Sequence, residues 1–142
     1  MQTGYLSLVM ACLACLITGC ANSGTSVQGE VTVNGQPLES GEILFVPVDK
    51  GESEGAPISG GQYALANSQR LTPGEYQVQI RSFKGTGKKR WDGMGEENNP
   101  NKTMVEDMVQ FIPEKYNNTS QLTVTLRAGS NDFDAALDLP AQ

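Results

Sequence analysis

Short runs in which apolar and polar residues alternate dominate this chain, and glycine, proline and asparagine separate them. In VQGEVTV the valines Val27, Val31 and Val33 fall two or four residues apart, and NGQP follows at once. A period of two places these side chains on one face of a β-strand, and an Asn-Gly pair is typical of a tight turn. The sequence therefore predicts a half-buried strand over residues 27–33.

The same pattern recurs along the rest of the chain. The run EILFVPV, which begins at Glu42, is apolar on both faces, as is typical of a central strand, and we expect it to pair with the strand before the Asn-Gly turn. The segment DKGESEGAP after it is predicted to be a surface loop. Further strands are predicted in GGQYALA, TPGEYQVQIRS, QLTVTLRA and NDFDAALDL.

These runs set the fold class. No segment longer than about eight residues has a helical period of 3.6, and turn signals recur at the spacing typical of sandwiches. A chain of 142 residues holds one domain of ordinary size. The sequence therefore predicts an all-β protein with a single immunoglobulin-like β-sandwich of about seven strands over residues 27–139.

The first nineteen residues have the composition of a targeting segment. Residues 5–18 carry no charge, and this run is shorter than the ~20 residues that span a bilayer. The tetrapeptide ITGC, which ends at Cys20, resembles the lipobox of bacterial lipoprotein precursors. That resemblance implies a cleaved signal peptide over residues 1–19 and a lipid on the Cys20 thiol. The alternative is an uncleaved helical anchor in which the cysteine is incidental.

Both interpretations place the domain outside the cytoplasm and attach it to a membrane. Residues 20–26 comprise the cysteine and a small, polar tether, whose six residues after Cys20 reach at most about 20 Å. Ala21, in place of Asp, resembles the outer-membrane sorting signal of some Gram-negative bacteria. We therefore expect an exported protein, anchored by lipid in the outer rather than the inner membrane, that faces the periplasm or the cell surface.

The strand segments together form a recognisable pattern. VQGEVTVNGQPLESGEILFVPV, GGQYAL, PGEYQVQI, IPEKYNNTSQLTVTLRAG and NDFDAALDL resemble small bacterial lipoproteins that carry a carboxypeptidase regulatory-like, or transthyretin-like, domain. The resemblance implies a sandwich of the prealbumin type and a non-catalytic accessory or surface role. It transfers no catalytic residue, because the shared positions are turn and core positions. These are Gly29, Gly41, Gly61, Tyr63, Gly74, Tyr76, Pro113 and Tyr116.

Composition argues against several classes of function. The formal net charge of −6 argues against a nucleic-acid partner, which demands clustered positive charge. The chain has no histidine, which is the commonest general base and metal ligand, and no cysteine after Cys20. We therefore expect no catalytic residue, no metal and no cofactor. The acidic groups Asp132, Asp134 and Asp138, and Asp49, Glu52 and Glu54, are interpreted as solvated surface.

One segment escapes the strand pattern. Residues 83–108, FKGTGKKRWDGMGEENNPNKTMVEDM, show no sustained periodicity and are predicted to form a long loop. Basic residues precede Trp91, the only tryptophan, and such a cluster can bind an acidic polymer, a sugar or a protein. Alternatively, nearby acids neutralise the cluster and the tryptophan folds back onto the sandwich. The candidate binding residues are Lys88, Lys89, Arg90 and Trp91.

These observations predict a non-enzymatic, lipid-anchored module of the cell envelope that binds or scaffolds an envelope protein or polysaccharide. One alternative is a carbohydrate-binding module, which needs an exposed aromatic platform beyond Trp91 and Tyr116. Another is a small envelope hydrolase that uses carboxylates, which the absence of histidine disfavours.

We expect Cys20→Ser to move the protein from the membrane fraction to the soluble or uncleaved precursor pool. No other residue of the tetrapeptide offers a thiol for the lipid, and two or three acyl chains are what hold a protein firmly to a bilayer. Fractionation with metabolic lipid labelling measures the change. A cleaved Cys20→Ser protein that stayed on the membrane would contradict the assignment of the anchor.

Overall fold

A computed structural model describes residues 24–91 and 103–140 of the chain. The predicted signal peptide, Cys20 and most of its tether, and the middle of segment 83–108 lie outside the described residues. The described residues form strands and one 3₁₀ turn, Glu114–Tyr116, and none of their helices is long and apolar enough to cross a membrane. The strands are β1 (Thr25–Val33), β2 (Gln36–Pro37), β3 (Ser40–Pro47), β4 (Glu54–Ser59), β5 (Gln62–Ser68), β6 (Gly74–Arg81), β7 (Phe83–Trp91), β8 (Met104–Gln110), β9 (Thr123–Leu126), β10 (Ser130–Asp132) and β11 (Ala135–Leu137).

Strand β1 organises the larger sheet because both of its edges are paired. The antiparallel strands β5 and β2 lie along one edge, and the short strands β10 and β11 run parallel to β1 along the other. Strands β4, β3, β6 and β9 continue the sheet in antiparallel order. Only one residue pair, Ser59 opposite Gln62, joins β4 to β5, so the sheet curls at this point.

The curl brings the two halves of the sheet face to face around one core. Phe45 on β3 is fully buried, and its ring centre lies 6.0 Å from that of Tyr63 on β5 and 6.5 Å from that of Phe133. Each half contributes side chains at alternate positions, as in a β-sandwich. The buried apolar residues are Val27, Val31, Leu38, Ile43, Phe45, Ala56, Ile58, Tyr63, Leu71, Tyr76, Val78, Ile80, Ile112, Leu126, Ala135 and Leu137.

The prediction of an all-β fold is confirmed, as are most of the individual strands. Strand β3 is central, since it lies between β4 and β6, and Ile43 and Phe45 are fully buried. Its predicted pairing with β1 is wrong. The Asn-Gly turn forms, with φ of 50° at Asn34 and 78° at Gly35, but it returns only the two-residue β2 to β1. The Leu38 N–H still donates to the Val31 oxygen over 2.9 Å, and the chain then crosses to the other half of the sheet.

Two further predictions need correction. The segment DKGESEGAP is not entirely loop, because β4 begins at Glu54 and buries Ala56 and Ile58 at a spacing of two. Residues 83–108 do not form a long irregular loop, because β7 and β8 pair with each other in a separate antiparallel sheet. The residues of β7 are all exposed, so the strand buries no side chain whose spacing would reveal it.

The C-terminal run NDFDAALDL forms two strands rather than one because it passes over Gly29. A Cβ atom at this position would lie 2.0 Å from the backbone oxygen of Phe133, so only glycine permits the close approach. The Tyr63 hydroxyl donates to the same oxygen over 2.6 Å. On either side of the crossing, the Phe133 N–H donates to the Gln28 oxygen, and the Glu30 N–H donates to an Asp134 carboxylate oxygen over 2.7 Å.

Buried polar side chains tie the connections to the core. The Tyr76 hydroxyl donates to the Thr72 oxygen over 2.9 Å and accepts from the Thr72 N–H over 3.0 Å, an arrangement that resembles the tyrosine corner of immunoglobulin-like sandwiches. The Asn117 amide donates to the Ile112 oxygen over 2.7 Å, which holds the turn between β8 and β9. Among the described residues, every buried side-chain nitrogen and oxygen has a partner.

We expect Gly29→Ala to lower the free energy of unfolding by about 3 kcal/mol, because the added methyl group cannot coexist with the Phe133 oxygen. Gly35→Ala is the control, since it meets no atom within 4 Å. Its positive φ alone should cost about 1 kcal/mol. Urea titrations of the two variants measure the difference. Equal losses would show that the crossing moves aside without cost.

Candidate functional site

Strands β7 and β8 form a two-stranded ribbon, here called the ribbon, that lies outside the main sheet. Among the described residues, each strand pairs only with the other, and all nine residues of β7 are exposed. An isolated two-stranded ribbon is marginally stable in water. Its local geometry and its exposed surface therefore distinguish it from the rest of the molecule.

A bulge in β7 shapes the ribbon. Gly85 lies opposite Met108 and Lys89 lies opposite Glu106, so four steps along β7 match two along β8. The Glu106 carboxylate fills the bulge and accepts the Gly87 N–H over 2.7 Å. A Cβ at Gly85 would lie 2.3 Å from a carboxylate oxygen of Glu106, so the missing side chain makes room for the carboxylate. The two glycines of FKGTGKKRW thus stabilise the bulge, because Gly85 leaves room for the Glu106 carboxylate and Gly87 donates its N–H to it.

One face of the ribbon is rich in exposed apolar side chains. Residues opposite each other in an antiparallel pair share a face. The register therefore places Phe83, Met108, Met104 and Trp91 on one side, which we call the apolar face. Their exposed fractions are 54%, 58%, 50% and 57%, respectively. Lys89 and Glu106 lie on the same face, between the two apolar ends.

The predicted binding residues do not form a single cluster. Lys89 and Trp91 share the apolar face, whereas Arg90 lies on the opposite face and pairs with Asp107 over 2.6 Å. Lys88 belongs to the bulge, where its N–H donates to the Thr86 hydroxyl over 3.2 Å.

Sequence reasoning missed Phe83, Met104 and Met108 as members of this surface. They are 21 to 25 residues apart across the hairpin, and only the register of the two strands shows that they share a face with Trp91. The sequence did show large apolar residues at both ends of residues 83–108, a segment without the alternating pattern of a buried strand.

An apolar groove of about 380 Å³ lies at the base of the ribbon. Phe83 belongs both to the groove and to the apolar face. Lys84 lies beside it, with its ammonium group 5.5 Å from the centre of the Phe111 ring. The apolar residues that line the groove are Val33, Pro37, Leu38, Phe83 and Phe111.

A second groove, of about 580 Å³, is polar and lies beside the Gly29 crossing. Its carboxylates already accept hydrogen bonds: Asp132 from the Gln28 amide over 3.0 Å, and Asp134 from the Glu30 N–H. Burial, with smaller contributions from the charges of Asp134 and Asp132, raises the pKa of Tyr63 far above its usual value. These groups support the crossing of the chain.

Two of the other acidic residues singled out in the sequence, Glu54 and Glu52, also have local partners. Glu54 accepts a hydrogen bond from Ser68, and Glu52 lies 3.5 Å from the Arg70 guanidinium. Within residues 24–91 and 103–140, no three histidine, cysteine or acidic side chains are grouped so that they could hold a metal ion.

Tyr116 is a poor candidate for the aromatic platform that a carbohydrate-binding module needs. Its hydroxyl accepts the Asp138 N–H over 3.1 Å, and the Lys115 ammonium lies 4.6 Å from the ring centre. The exposed aromatic rings of the ribbon are those of Phe83 and Trp91.

Tyr63→Phe should lower the stability by about 1 kcal/mol at neutral pH, because the bond to the Phe133 oxygen is lost. The raised pKa means that the folded protein holds the phenolic proton more tightly than the unfolded chain does. Stability from this group is therefore complete below about pH 10 and falls above it, by up to about 1.4 kcal/mol per pH unit. Urea titrations between pH 8 and about 11 should show a shallower alkaline loss in the variant than in the wild type. Parallel curves would contradict the assignment to Tyr63.

Comparison with known proteins leaves the ribbon as the main guide to function. No protein-family model matches the chain, and no curated protein sequence matches it either.

Proposed function

We propose that this chain is a non-enzymatic binding or scaffolding module of the cell envelope, anchored by a lipid on Cys20, and that the ribbon is its contact surface. The observation on which this rests is the apolar face, where four large apolar side chains are each at least half exposed. The partner is an envelope protein or polysaccharide.

The concentration of exposed apolar surface supports a binding role. Val48 is the only exposed large apolar residue of the described segments that lies outside the ribbon. Single exposed apolar residues are ordinary, whereas several large apolar side chains gathered on one face among polar groups are typical of an interaction site. The body of the domain has a complete core without the ribbon, so packing within the body does not require these four side chains.

Several features support a transthyretin-like sandwich as the scaffold. The resemblance implies that certain positions are turn or core positions, and three of them have such roles. Gly29 leaves room for the Phe133 backbone, the Tyr63 hydroxyl donates to the Phe133 oxygen, and the Tyr76 hydroxyl donates to the Thr72 oxygen. A rigid two-layer body that presents a separate ribbon suits a binding module, because recognition segments are commonly held by a stable scaffold.

The proposed anchor keeps the scaffold close to its membrane. Strand β1 begins at Thr25, which is buried, so the segment that joins Cys20 to β1 is at most about 17 Å long when extended. The partner would therefore be met near the membrane surface.

A capture experiment on the ribbon tests this proposal. The full chain with an affinity tag is exposed to envelope extract and to an array of envelope polysaccharides, and Trp91→Ala with Met104→Ala is compared with Val48→Ala. The variant with Trp91→Ala and Met104→Ala should capture at least about tenfold less partner than the wild type, since buried aromatic anchors dominate binding energy. The Val48→Ala control should capture as much partner as the wild type. Equal capture by both variants would place the contact elsewhere on the molecule.

A further inference from the structure

The methionines that the structure describes, Met104 and Met108, both lie on the ribbon. Both belong to β8 and to the apolar face, and their exposed fractions are 50% and 58%. The sixteen buried apolar residues of the described body are valine, leucine, isoleucine, alanine, phenylalanine and tyrosine. Methionine commonly fills irregular gaps in a core, yet the described core contains none. Its thioethers are instead displayed on the surface that we propose to bind.

These two side chains carry the sulfur atoms of the described residues. The three cysteines lie at or before position 20, and Met1, Met10 and Met94 also fall outside the described residues. Within residues 24–91 and 103–140, an oxidant that attacks sulfur therefore finds its targets on the apolar face.

We infer that Met104 and Met108 form a site of reversible oxidative modification, at which a peroxide converts both thioethers to sulfoxides and thereby weakens the binding of the partner. The inference rests on the proposed function, because it names how contact at the same surface is regulated. A methionine sulfoxide is polar, and its formation disrupts methionine-rich interfaces. Dedicated reductases return the sulfoxide to the thioether, so the modification can be reversed.

Each oxidation is a two-electron step between the side chain and the peroxide. A lone pair of the methionine sulfur attacks one oxygen of hydrogen peroxide, so that the S–O bond forms and the O–O bond breaks. The oxygen on sulfur loses its proton, and the departing hydroxide takes one up. The thioether is thus oxidised to the sulfoxide, and the peroxide is reduced to water. The step requires access of the oxidant to the sulfur, which side chains that are at least half exposed provide.

The two methionines contribute to different rows of the apolar face. Met108 lies opposite Gly85, so it provides the apolar side chain of that row. Met104 lies opposite Trp91, and side chains opposite each other in an antiparallel pair interact. Oxidation at position 108 therefore makes one row polar, and oxidation at position 104 places a polar group beside the only tryptophan of the chain.

Oxidation at these positions should leave the fold unchanged. The core of the described body contains no methionine, so none of its packing depends on a thioether. The ribbon is held by its backbone ladder and by the bond from the Gly87 N–H to the Glu106 carboxylate, neither of which involves sulfur. The sulfoxides therefore change the chemistry of the apolar face while the strands that present it remain paired.

Peroxide treatment of the full chain before the capture experiment tests the inference. The wild type is compared with a variant that carries Met104→Leu and Met108→Leu, because leucine is apolar and similar in volume but has no sulfur. Peptide mass mapping should find one added oxygen at each position of the wild type, and capture should fall about tenfold. The leucine variant should capture as much partner after treatment as before, and a methionine sulfoxide reductase should restore capture by the oxidised wild type.

The leucine variant also controls for oxidation elsewhere in the chain. It retains Met94, so an effect of oxidation at that position would appear in both proteins. Equal losses of capture in the wild type and the leucine variant would overturn the inference. Full capture by a wild type that is oxidised at both positions would overturn it as well.

A glutamine variant separates the inference from the proposed function. Met104→Gln with Met108→Gln places unbranched polar side chains at both positions without any oxidant, and far-ultraviolet circular dichroism checks that the protein is folded. The folded variant should capture about tenfold less partner than the wild type. If it captures as much as the wild type while Trp91→Ala with Met104→Ala does not, the proposed function stands and the oxidative site is wrong. If neither variant loses capture, the proposed function and the inference both fall.

The rate of oxidation provides a measurement that needs no partner. Since both side chains are at least half exposed, each sulfur of the folded chain should be oxidised within about twofold of its rate in the urea-unfolded chain. Protection of both sulfurs by more than about tenfold would show that the folded chain shields them from the oxidant, and the modification site would be wrong.

Discussion

Strand β1 can be paired along both edges only because residue 29 has no side chain. The antiparallel neighbours β5 and β2 occupy one edge, and the C-terminal strands β10 and β11 occupy the other. Between β10 and β11 the backbone of Phe133 lies over Gly29, and its oxygen lies in the space of the missing Cβ. A partly buried backbone oxygen needs a donor, and the Tyr63 hydroxyl supplies it. The position of Tyr63 in turn sets the ring contacts with Phe45 from which the two-layer core extends.

The ribbon is held together by different forces from the body. The described part of the body buries sixteen apolar residues, Phe45 among them, whereas the ribbon relies on its backbone ladder, the Glu106 bond to the Gly87 N–H and the Arg90–Asp107 pair. Exposed ion pairs of this kind contribute at most about 1 kcal/mol. The ribbon should therefore be the first part of the domain to open locally, and a partner that covers its apolar face would stabilise it most.

The sequence was informative where strands bury alternate residues. Val27 and Val31, or Val78 and Ile80, have the period of two because one face meets the core. The prediction failed at β7 for the same reason, since periodicity reports burial rather than strand geometry, and β7 buries nothing. At β4, Gly55 and Pro57 alternate with Ala56 and Ile58 and resemble loop residues. The division of the C-terminal run arises at Gly29, more than a hundred positions earlier, so no local pattern reveals it.

For the candidate surface, the sequence identified Trp91 and Lys89 because a lone tryptophan beside basic residues is conspicuous. It could not show that Arg90 faces the other way or that Phe83 and Met108 join Trp91, because strand register depends on the bulge.

The parallel placement of β10 and β11 beside β1 also has a mechanical consequence. Tension applied at Thr25 along β1 slides it past these neighbours, so several ladder hydrogen bonds must break together instead of one after another. A domain held through its first strand would thus resist tension applied at that strand as a shear clamp.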